Sequence, residues 1–156
     1  MTRPIALLCS TALTLLSLTA QAAEPKADAA PRPQLGNGEE NRIVVEGMKH
    51  GGRTFTFPEV EIAKPGWLVL HPFGEGKPRG EIYVGATYLP AGVSRDVSID
   101  VTTAPEPASG TMFLVMLHSD SNDDGTFDFF FVDERNVADV AVFEDSTMIA
   151  HVIQTP

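Results

Sequence analysis

Cysteine is nearly absent from this sequence of 156 residues, and the single one, Cys9, lies in an apolar run close to the amino terminus. A chain that has lost this run contains no thiol, so it can form no disulfide, no cysteine-ligated zinc site and no cysteine nucleophile. Small exported domains often depend on disulfides for their stability. This domain must instead be held together by the packing of its core, with or without the help of a bound ion.

Charged residues are missing between Arg3 and Ala22. The segment has a short apolar centre and ends in Ala20-Gln21-Ala22, the small-x-small pattern that signal peptidase recognises. A membrane-spanning helix needs about 20 apolar residues, whereas this run is shorter and contains many Ser and Thr residues. We therefore predict that residues 1–22 are a cleavable signal peptide, that no membrane span remains after cleavage, and that the protein is periplasmic or secreted.

Positive charge is scarce, because 11 Lys and Arg stand against 21 Asp and Glu and give a net charge of −10. The imbalance is strongest between residues 120 and 145, where nine carboxylates are accompanied by a single base, Arg135. Nucleic acids and anionic lipids bind clustered Lys and Arg. We therefore predict that neither is a partner. An acidic surface attracts cations, but for the overall charge we favour the simpler interpretation that it keeps the protein soluble.

Helical periodicity is missing from the part of the chain that can build a core. Residues 23–41 contain three Pro, two Gly and no aromatic or β-branched residue, so we predict a disordered linker there. From Arg42 onward, short apolar runs alternate with Gly, Pro and Asp at intervals of roughly ten residues. This pattern predicts one all-β domain over residues 42–156, an antiparallel β-sandwich of immunoglobulin-like proportions.

The alternation of apolar and polar residues predicts where the strands lie. Val97, Ile99 and Val101 alternate with Asp and Ser, so their side chains are predicted to face the core. Residues 113–117 are apolar at every position, which predicts a strand covered on both faces. Pro58 cannot donate to a strand ladder, so we expect a bulge or an edge position there. The predicted strands are Arg42–Met48, Phe55–Ile62, Trp67–Pro72, Ile82–Tyr88, Asp96–Thr102, Met112–His118, Phe127–Val132, Val137–Phe143 and Thr147–Ile153.

One acidic segment, DSNDDGTFD at 120–128, fits the calcium-loop pattern D-x-[DN]-x-D-G-x-x-D. Calcium takes six to eight oxygen ligands, and side chains at alternate positions of a curled loop can point at one ion. The predicted ligands are the side chains of Asp120, Asn122, Asp124 and Asp128 and the carbonyl oxygen of Thr126. The pattern therefore predicts a structural calcium site between two strands.

The strongest ligand of a complete helix–loop–helix calcium site is missing from this loop. Position 12, where such a site has a bidentate Glu, is Phe131 here. We therefore expect weak binding, with a dissociation constant of about 10⁻⁴–10⁻³ M. The alternative is a solvated Asp- and Gly-rich turn that binds no ion.

Two histidines each stand where a predicted strand gives way to a loop. His71 follows an apolar run at 67–70, and His118 follows the run at 113–117. If these strands are neighbours, the two imidazoles can converge and, with a carboxylate or Met116, hold zinc or copper. The alternative is that each is a surface histidine at the rim, hydrogen-bonded to a loop.

No catalytic motif stands out. The sequence contains neither G-x-S-x-G nor H-E-x-x-H. His118-Ser119-Asp120 has the residue types of a hydrolase triad, but triad members come together from separate segments. We therefore expect a binding or interaction module for an unknown protein or small ligand, and not an enzyme.

Three segments carry a resemblance to a known family: GWLVLH at 66–71, GATYLPAG at 85–92 and LHSDSNDDGTFDF at 117–129. In them the chain resembles a domain of unknown function found in secreted and surface-anchored haloarchaeal proteins and in some bacterial exported proteins. The resemblance extends from Thr54 to Pro156. It implies a β-sandwich and a location outside the cytoplasm, and it implies no activity.

Overall fold

The computed structural model describes residues 33–129 and 139–156, which form eleven strands and no helix. No helix long and apolar enough to cross a membrane occurs in this part of the chain. The predicted signal peptide, with Ala20 and Ala22, lies outside the described residues. The strands are β1 (Gln34–Gly36), β2 (Arg42–Val44), β3 (Lys49–Gly51), β4 (Thr54–Ile62), β5 (Gly66–Gly74), β6 (Lys77–Pro78), β7 (Gly85–Leu89), β8 (Gly92–Asp100), β9 (Met112–Ser119), β10 (Phe143–Glu144) and β11 (Thr147–Gln154).

Two packed sheets make up the fold, which confirms the predicted antiparallel β-sandwich. The larger sheet has the order β1-β11-β9-β5, with β7 and β6 pairing β5 and with β10 pairing β11. In the smaller sheet β8 pairs one edge of β4, while β2 and β3 pair successive parts of the other edge. All these pairs are antiparallel except β1 with β11.

The core between the sheets is built from the inward-facing residues that the alternation predicts. Val97, Ile99 and Val101 are buried, as expected. Phe55 of β4 meets Phe113 of β9 edge to face, with ring centroids 5.4 Å apart, so the two sheets interlock through aromatic rings. Other core members are Ile43, Phe57, Val60, Ile62, Leu68, Leu70, Val84, Leu89, Val115, Leu117, Ile149 and Ile153.

The outer face of the larger sheet is also covered. Leu114, Met116 and Ala150 form a second buried cluster on this face, with Phe73 and Met148 packed against it. The prediction that residues 113–117 are covered on both faces is therefore confirmed. Because β5 and β9 lie between two apolar layers, polar groups on their outer face are removed from water.

Pro58 lies where β4 changes its buried face. Phe57 is buried before the proline and Val60 after it, and the ladder of β4 with β8 skips this position. Pro58 falls between the segments that pair with β2 and β3, so no neighbouring strand needs a donor from it. Opposite it, Asp96 has a positive φ of 50°, which lets β8 change face at the same point.

Two of the predicted strands are wrong in the part of the chain that the structure describes. The predicted strand Phe127–Val132 is irregular at 127–129, where the phenylalanines pack against the outer face of the sheet and join no ladder. Residues 139–142 of the predicted strand Val137–Phe143 are also irregular, apart from one bridge between Ala141 and His118. The remaining residues of these two strands, 130–132 and 137–138, lie outside the described residues.

The end of the predicted disordered linker 23–41 belongs to the domain. Residues 34–36 form β1, which runs parallel to β11. The carboxylate of Glu144 then accepts backbone N–H groups of Glu39 and Glu40, at 2.6 and 3.1 Å. The prediction of disorder was wrong here because composition shows only how much apolar surface a segment can bury, whereas this segment is held by hydrogen bonds.

Gly85→Ala should destabilise the fold, because a Cβ at this position would overlap the carbonyl oxygen of Asp100 in the other sheet. The backbone of β7 or β8 must shift to relieve this overlap, and we expect a loss of about 2 kcal/mol in the free energy of unfolding. Gly51→Ala is the matched control, since a Cβ there meets nothing within 4 Å. Urea denaturation measures both variants, and equal losses would contradict the close approach at Gly85.

Candidate metal centre at a buried histidine pair

The pairing of β5 with β9 brings His71 and His118 to one face of the larger sheet. His118 lies opposite Trp67, and His71 lies opposite Leu114, so the two histidines are four residue pairs apart along the ladder, with one pair of the same face between them. Directly paired residues share a face in an antiparallel sheet. The imidazoles lean towards each other over the intervening Val69–Met116 pair, and their Nε2 atoms come within 3.2 Å.

Each imidazole is held by a hydrogen bond at its other nitrogen. Nδ1 of His71 lies 2.6 Å from the carbonyl oxygen of Ile82, and Nδ1 of His118 lies 2.9 Å from that of Asp139. A carbonyl oxygen can only accept, so each Nδ1 must carry a proton and donate it. In the neutral form of each ring, Nε2 is then a bare acceptor.

Both rings are removed from water, and both are held neutral. His71 is 0 % and His118 is 1 % exposed. Burial lowers the pKa of His71, although hydrogen bonds to the carbonyls of Ile82 and Arg79 oppose this. Burial and the neighbouring His71 lower the pKa of His118 to about 4, against the opposing hydrogen bond to Asp139. At neutral pH two bare nitrogen lone pairs therefore face each other.

Aromatic rings cover the pair on the outer side. Phe129 packs edge to face on both imidazoles, with centroid distances of 5.9 Å to His71 and 4.8 Å to His118. Phe127 packs on His118 at 5.6 Å and on Trp67 at 5.4 Å. These contacts explain why residues 127–129 leave the strand geometry, since their rings bury surface by stacking onto the sheet.

The separation of the two Nε2 atoms matches a shared metal ion. Two nitrogens bound at about 2.0–2.1 Å to a tetrahedral ion lie about 3.3–3.4 Å apart, whereas a linear arrangement would need about 4 Å. The observed distance of 3.2 Å is close to the tetrahedral value. The rings are already oriented by their hydrogen bonds to backbone carbonyls, as the histidine ligands of metals usually are.

The described residues offer few metal ligands beyond the two imidazoles. Within residues 33–129 and 139–156, no three or more His, Cys, Asp or Glu side chains form a group that could hold a metal ion. Met116 lies on the same face of β9 as His118 and is buried at 4 % exposure. Because the Val69–Met116 pair lies between the two histidines on the ladder, the thioether of Met116 is the candidate third donor on this face.

The structure brings the two predicted histidines together but corrects their surroundings. The interpretation of His71 and His118 as surface histidines at the rim is wrong, since both are fully buried. The reason is the second apolar layer on β5 and β9, which the sequence predicted for residues 113–117 but not for the strand ends where the two histidines lie. His151 is separate from the pair, because its Nε2 contacts Asn37 Oδ1 at 2.9 Å.

The acidic loop follows β9 directly and curls around its own polar groups. Asp120 is buried, and its carboxylate accepts the backbone N–H groups of Asp124 and Gly125 at 3.3 and 3.0 Å. Asn122 Nδ2 lies 2.9 Å from Asp124 Oδ2 and 3.5 Å from Asp128 Oδ2. The amide of Asn122 thus donates towards the carboxylates of Asp124 and Asp128, but Asp120, Asp124 and Asp128 do not form a group that could hold an ion in the part of the chain that the structure describes.

Thr126 is the remaining predicted ligand of the acidic loop. Its backbone N–H donates to Asp124 Oδ1 at 2.7 Å, which fixes the turn between the two residues. Gly125 has a φ of +65°, which supplies the sharp turn that the pattern predicts. The loop is thus curled by its own hydrogen bonds.

Asp139 is a residue of this region that the sequence analysis missed. It is fully buried, and its Oδ2 accepts the backbone N–H of Asp128 at 2.9 Å, while its carbonyl oxygen accepts the Nδ1 proton of His118. Burial raises the pKa of Asp139, and the nearby carboxylates of Asp128 and Asp120 raise it further. The only signal for it in the sequence is an acid placed within a predicted strand.

Comparison with known proteins identifies a family but no function. Residues 41–154 match the family model described as a domain of unknown function, DUF7282. No curated protein and no solved structure matches the chain significantly.

The metal-free protein should lose stability as the pH falls from about 6.5 towards 4. The pKa of His118 is lower in the folded than in the unfolded chain, so its contribution is complete above about 6.5 and is lost on acidification. His118→Asn keeps a side-chain N–H in the place of Nδ1 and removes the titrating ring. Between pH 7 and 4.5, we expect urea denaturation to show a loss about 2–3 kcal/mol larger in the wild type than in this variant. Equal losses would contradict the neutral buried ring.

Proposed function

The chain belongs to the DUF7282 family, whose description carries no activity, and we propose from its own geometry that it is a metal-binding module holding one copper or zinc ion between His71 and His118. The observation that carries this proposal is the pair of buried Nε2 atoms, which face each other at 3.2 Å while the Nδ1 atom of each ring is hydrogen-bonded to a backbone carbonyl. An ion placed there would replace a repulsion between lone pairs by two coordinate bonds.

The donors favour copper(I) over zinc. Imidazole suits both metals, but a thioether is a soft ligand that selects copper(I). Met116 is the soft donor on the same face, and the described residues offer no carboxylate that forms a group with the two histidines. The aromatic cover of Phe127 and Phe129 would keep water away from the ion and so protect the reduced state.

A shared proton is the competing explanation for the close nitrogens. One imidazole would then be cationic and would donate from its Nε2 to the other ring. The low pKa of His118 opposes this at neutral pH, because both burial and the neighbouring ring disfavour the charge. A metal titration separates the two explanations, since a pair joined only by a proton binds no ion.

Copper(I) or zinc should bind with a stoichiometry of one per chain, and His71→Asn or His118→Asn should weaken binding about a hundred-fold or more. Asn retains a donor for the backbone carbonyl but lacks the ligating nitrogen. Competition titration with a chromophoric chelator measures the affinities. His151→Gln is the control, because Gln can still contact Asn37 and the residue lies outside the pair.

Met116→Leu tests the choice of metal in the same titration. Leu has nearly the volume of Met, so the packing is kept while the sulfur is lost. We expect copper(I) affinity to fall by about ten-fold and zinc affinity to change little. Equal effects on both metals would remove Met116 from the ligand set, and no binding of either metal to the wild type would overturn the proposal.

The acidic loop is a second candidate site, for calcium, with Asp120, Asn122, Asp124, Thr126 and Asp128 as its ligands. The curled backbone and the arrangement of carboxylates around Asn122 support it. We propose a structural role, because the ion would neutralise acidic side chains that otherwise repel one another.

Location outside the cytoplasm suits such a site. Weak oxygen-only loops with a dissociation constant of about 10⁻⁴–10⁻³ M fill only where free calcium is abundant, as it is for extracellular modules. The signal-peptide pattern of residues 1–22 supports export. We therefore propose an exported binding module whose calcium loop stabilises the fold.

Calcium at 10 mM should raise the free energy of unfolding by about 1–3 kcal/mol, as expected for a site of this affinity. Asp124→Asn should abolish the gain, because it removes a charged ligand while leaving an oxygen for the N–H of Thr126. Asp145→Asn removes a charge from a turn outside the loop and should retain the gain. Thermal denaturation with and without calcium measures the effect, and a wild type that is indifferent to calcium would exclude the site.

A further inference from the structure

Asp139 presents a carboxylate oxygen that the fold leaves unsatisfied. The residue is 0 % exposed, and its Oδ1 is buried without a hydrogen-bond partner among the described residues. The Oδ1 atom of Asp128 is buried and unpartnered in the same way. Two such oxygens lower the stability of the fold, because a buried acceptor that has lost its hydrating water needs a hydrogen-bond donor or a cation in its place.

These two residues are joined to each other and face a third carboxylate. The backbone N–H of Asp128 donates to Asp139 Oδ2, so the two side chains start from adjacent positions. Asp120 is buried close by. Burial and then the charges of Asp128 and Asp120 raise the pKa of Asp139, against the opposing effect of the backbone N–H groups of Asp128 and Ser121. Three acids therefore crowd one volume, and no basic side chain of the described residues forms an ion pair with any of them.

We propose that Asp139 is the ligand that the acidic loop otherwise lacks, so that Asp120, Asp128 and Asp139 together bind one hard divalent cation. The inference rests on the second proposed function, the calcium loop, and changes its ligand set. The site joins two segments of the chain and is not confined to residues 120–128.

The chemistry of the donors selects the class of ion. All three are carboxylates, and hard cations such as calcium prefer oxygen ligands in flexible arrangements. The side chains must rotate to converge, since no group of three acids in the described residues is yet arranged to hold an ion. Asp128 and Asp139 can contribute Oδ1 without losing a hydrogen bond among the described residues.

Asp139 also links the proposed cation site to the histidine pair. The carbonyl oxygen of Asp139 accepts the Nδ1 proton of His118, so the position of the backbone at 139 sets the orientation of the ring. A cation held by the Asp139 side chain would thus lie beside the residue whose carbonyl orients His118. Calcium is therefore expected to alter the environment of His118 in protein that holds no transition metal.

Calcium titration followed by ¹H–¹⁵N NMR tests the ligand role in protein free of transition metals. We expect one calcium per chain for the wild type and binding at least about ten-fold weaker for Asp139→Asn, which keeps an oxygen for the N–H of Asp128. Asp123→Asn is the matched control: it removes one charge from the same loop at a residue of positive φ that Asn tolerates, and it should change the affinity less than about two-fold.

Unchanged affinity in Asp139→Asn would overturn the inference, even if Asp124→Asn abolished binding and so upheld the calcium loop itself. If the wild type bound no calcium, both the role of Asp139 and the proposed calcium loop would be excluded. Asp128→Asn is a second variant should Asp139→Asn fail to fold, and it should weaken calcium binding likewise. The ring nitrogens of His118 report the link in the same spectra: their resonances should shift with calcium in the wild type, and an unmoved ring would overturn the link to the histidine pair.

Discussion

The antiparallel pairing of β5 with β9 is the constraint on which the rest of the structure depends. It fixes His71 and His118 on one face, four residue pairs apart along the ladder, so that their side chains can meet. A slip of one residue would send one histidine into the sandwich core and the other to the outer layer. The apolar residues on both faces of these strands prevent such a slip, because the alternative register would expose or mispack them.

The close approach of the two histidines is unfavourable by itself, and the surrounding fold holds it in place. Each imidazole is buried, and the Nδ1–H group of its neutral form donates to a backbone carbonyl. The two Nε2 atoms are then acceptors that face each other. Packing alone would be better served by two apolar side chains of similar volume. This arrangement, covered by Phe127 and Phe129, is the basis of our proposal that a metal ion bonds to both nitrogens.

Residue 139 joins the two polar regions of the molecule. Its backbone oxygen orients His118, and its side chain receives the N–H of Asp128. The segment 140–142 adds further hydrogen bonds to the end of β9, from Ser119 to Val140 and from Val142 to Leu117. The histidine pair and the acidic loop are therefore parts of one structure at the same end of the larger sheet.

The sequence by itself determined the class of fold and the inward-facing residues, because alternation along a strand is a local property of the chain. Val97, Ile99 and Val101 and the doubly covered run at 113–117 could be predicted for this reason, and the spacing of acids predicted a curled loop at 120–128. Only the tertiary structure decided the ladder register that joins His71 to His118 and the burial of both rings. It also decided the position of Asp139, whose carbonyl and carboxylate accept hydrogen bonds from His118 and Asp128. These depend on segments far apart in the chain, and the free energy that pairs such segments comes from cross-strand packing that no local pattern records.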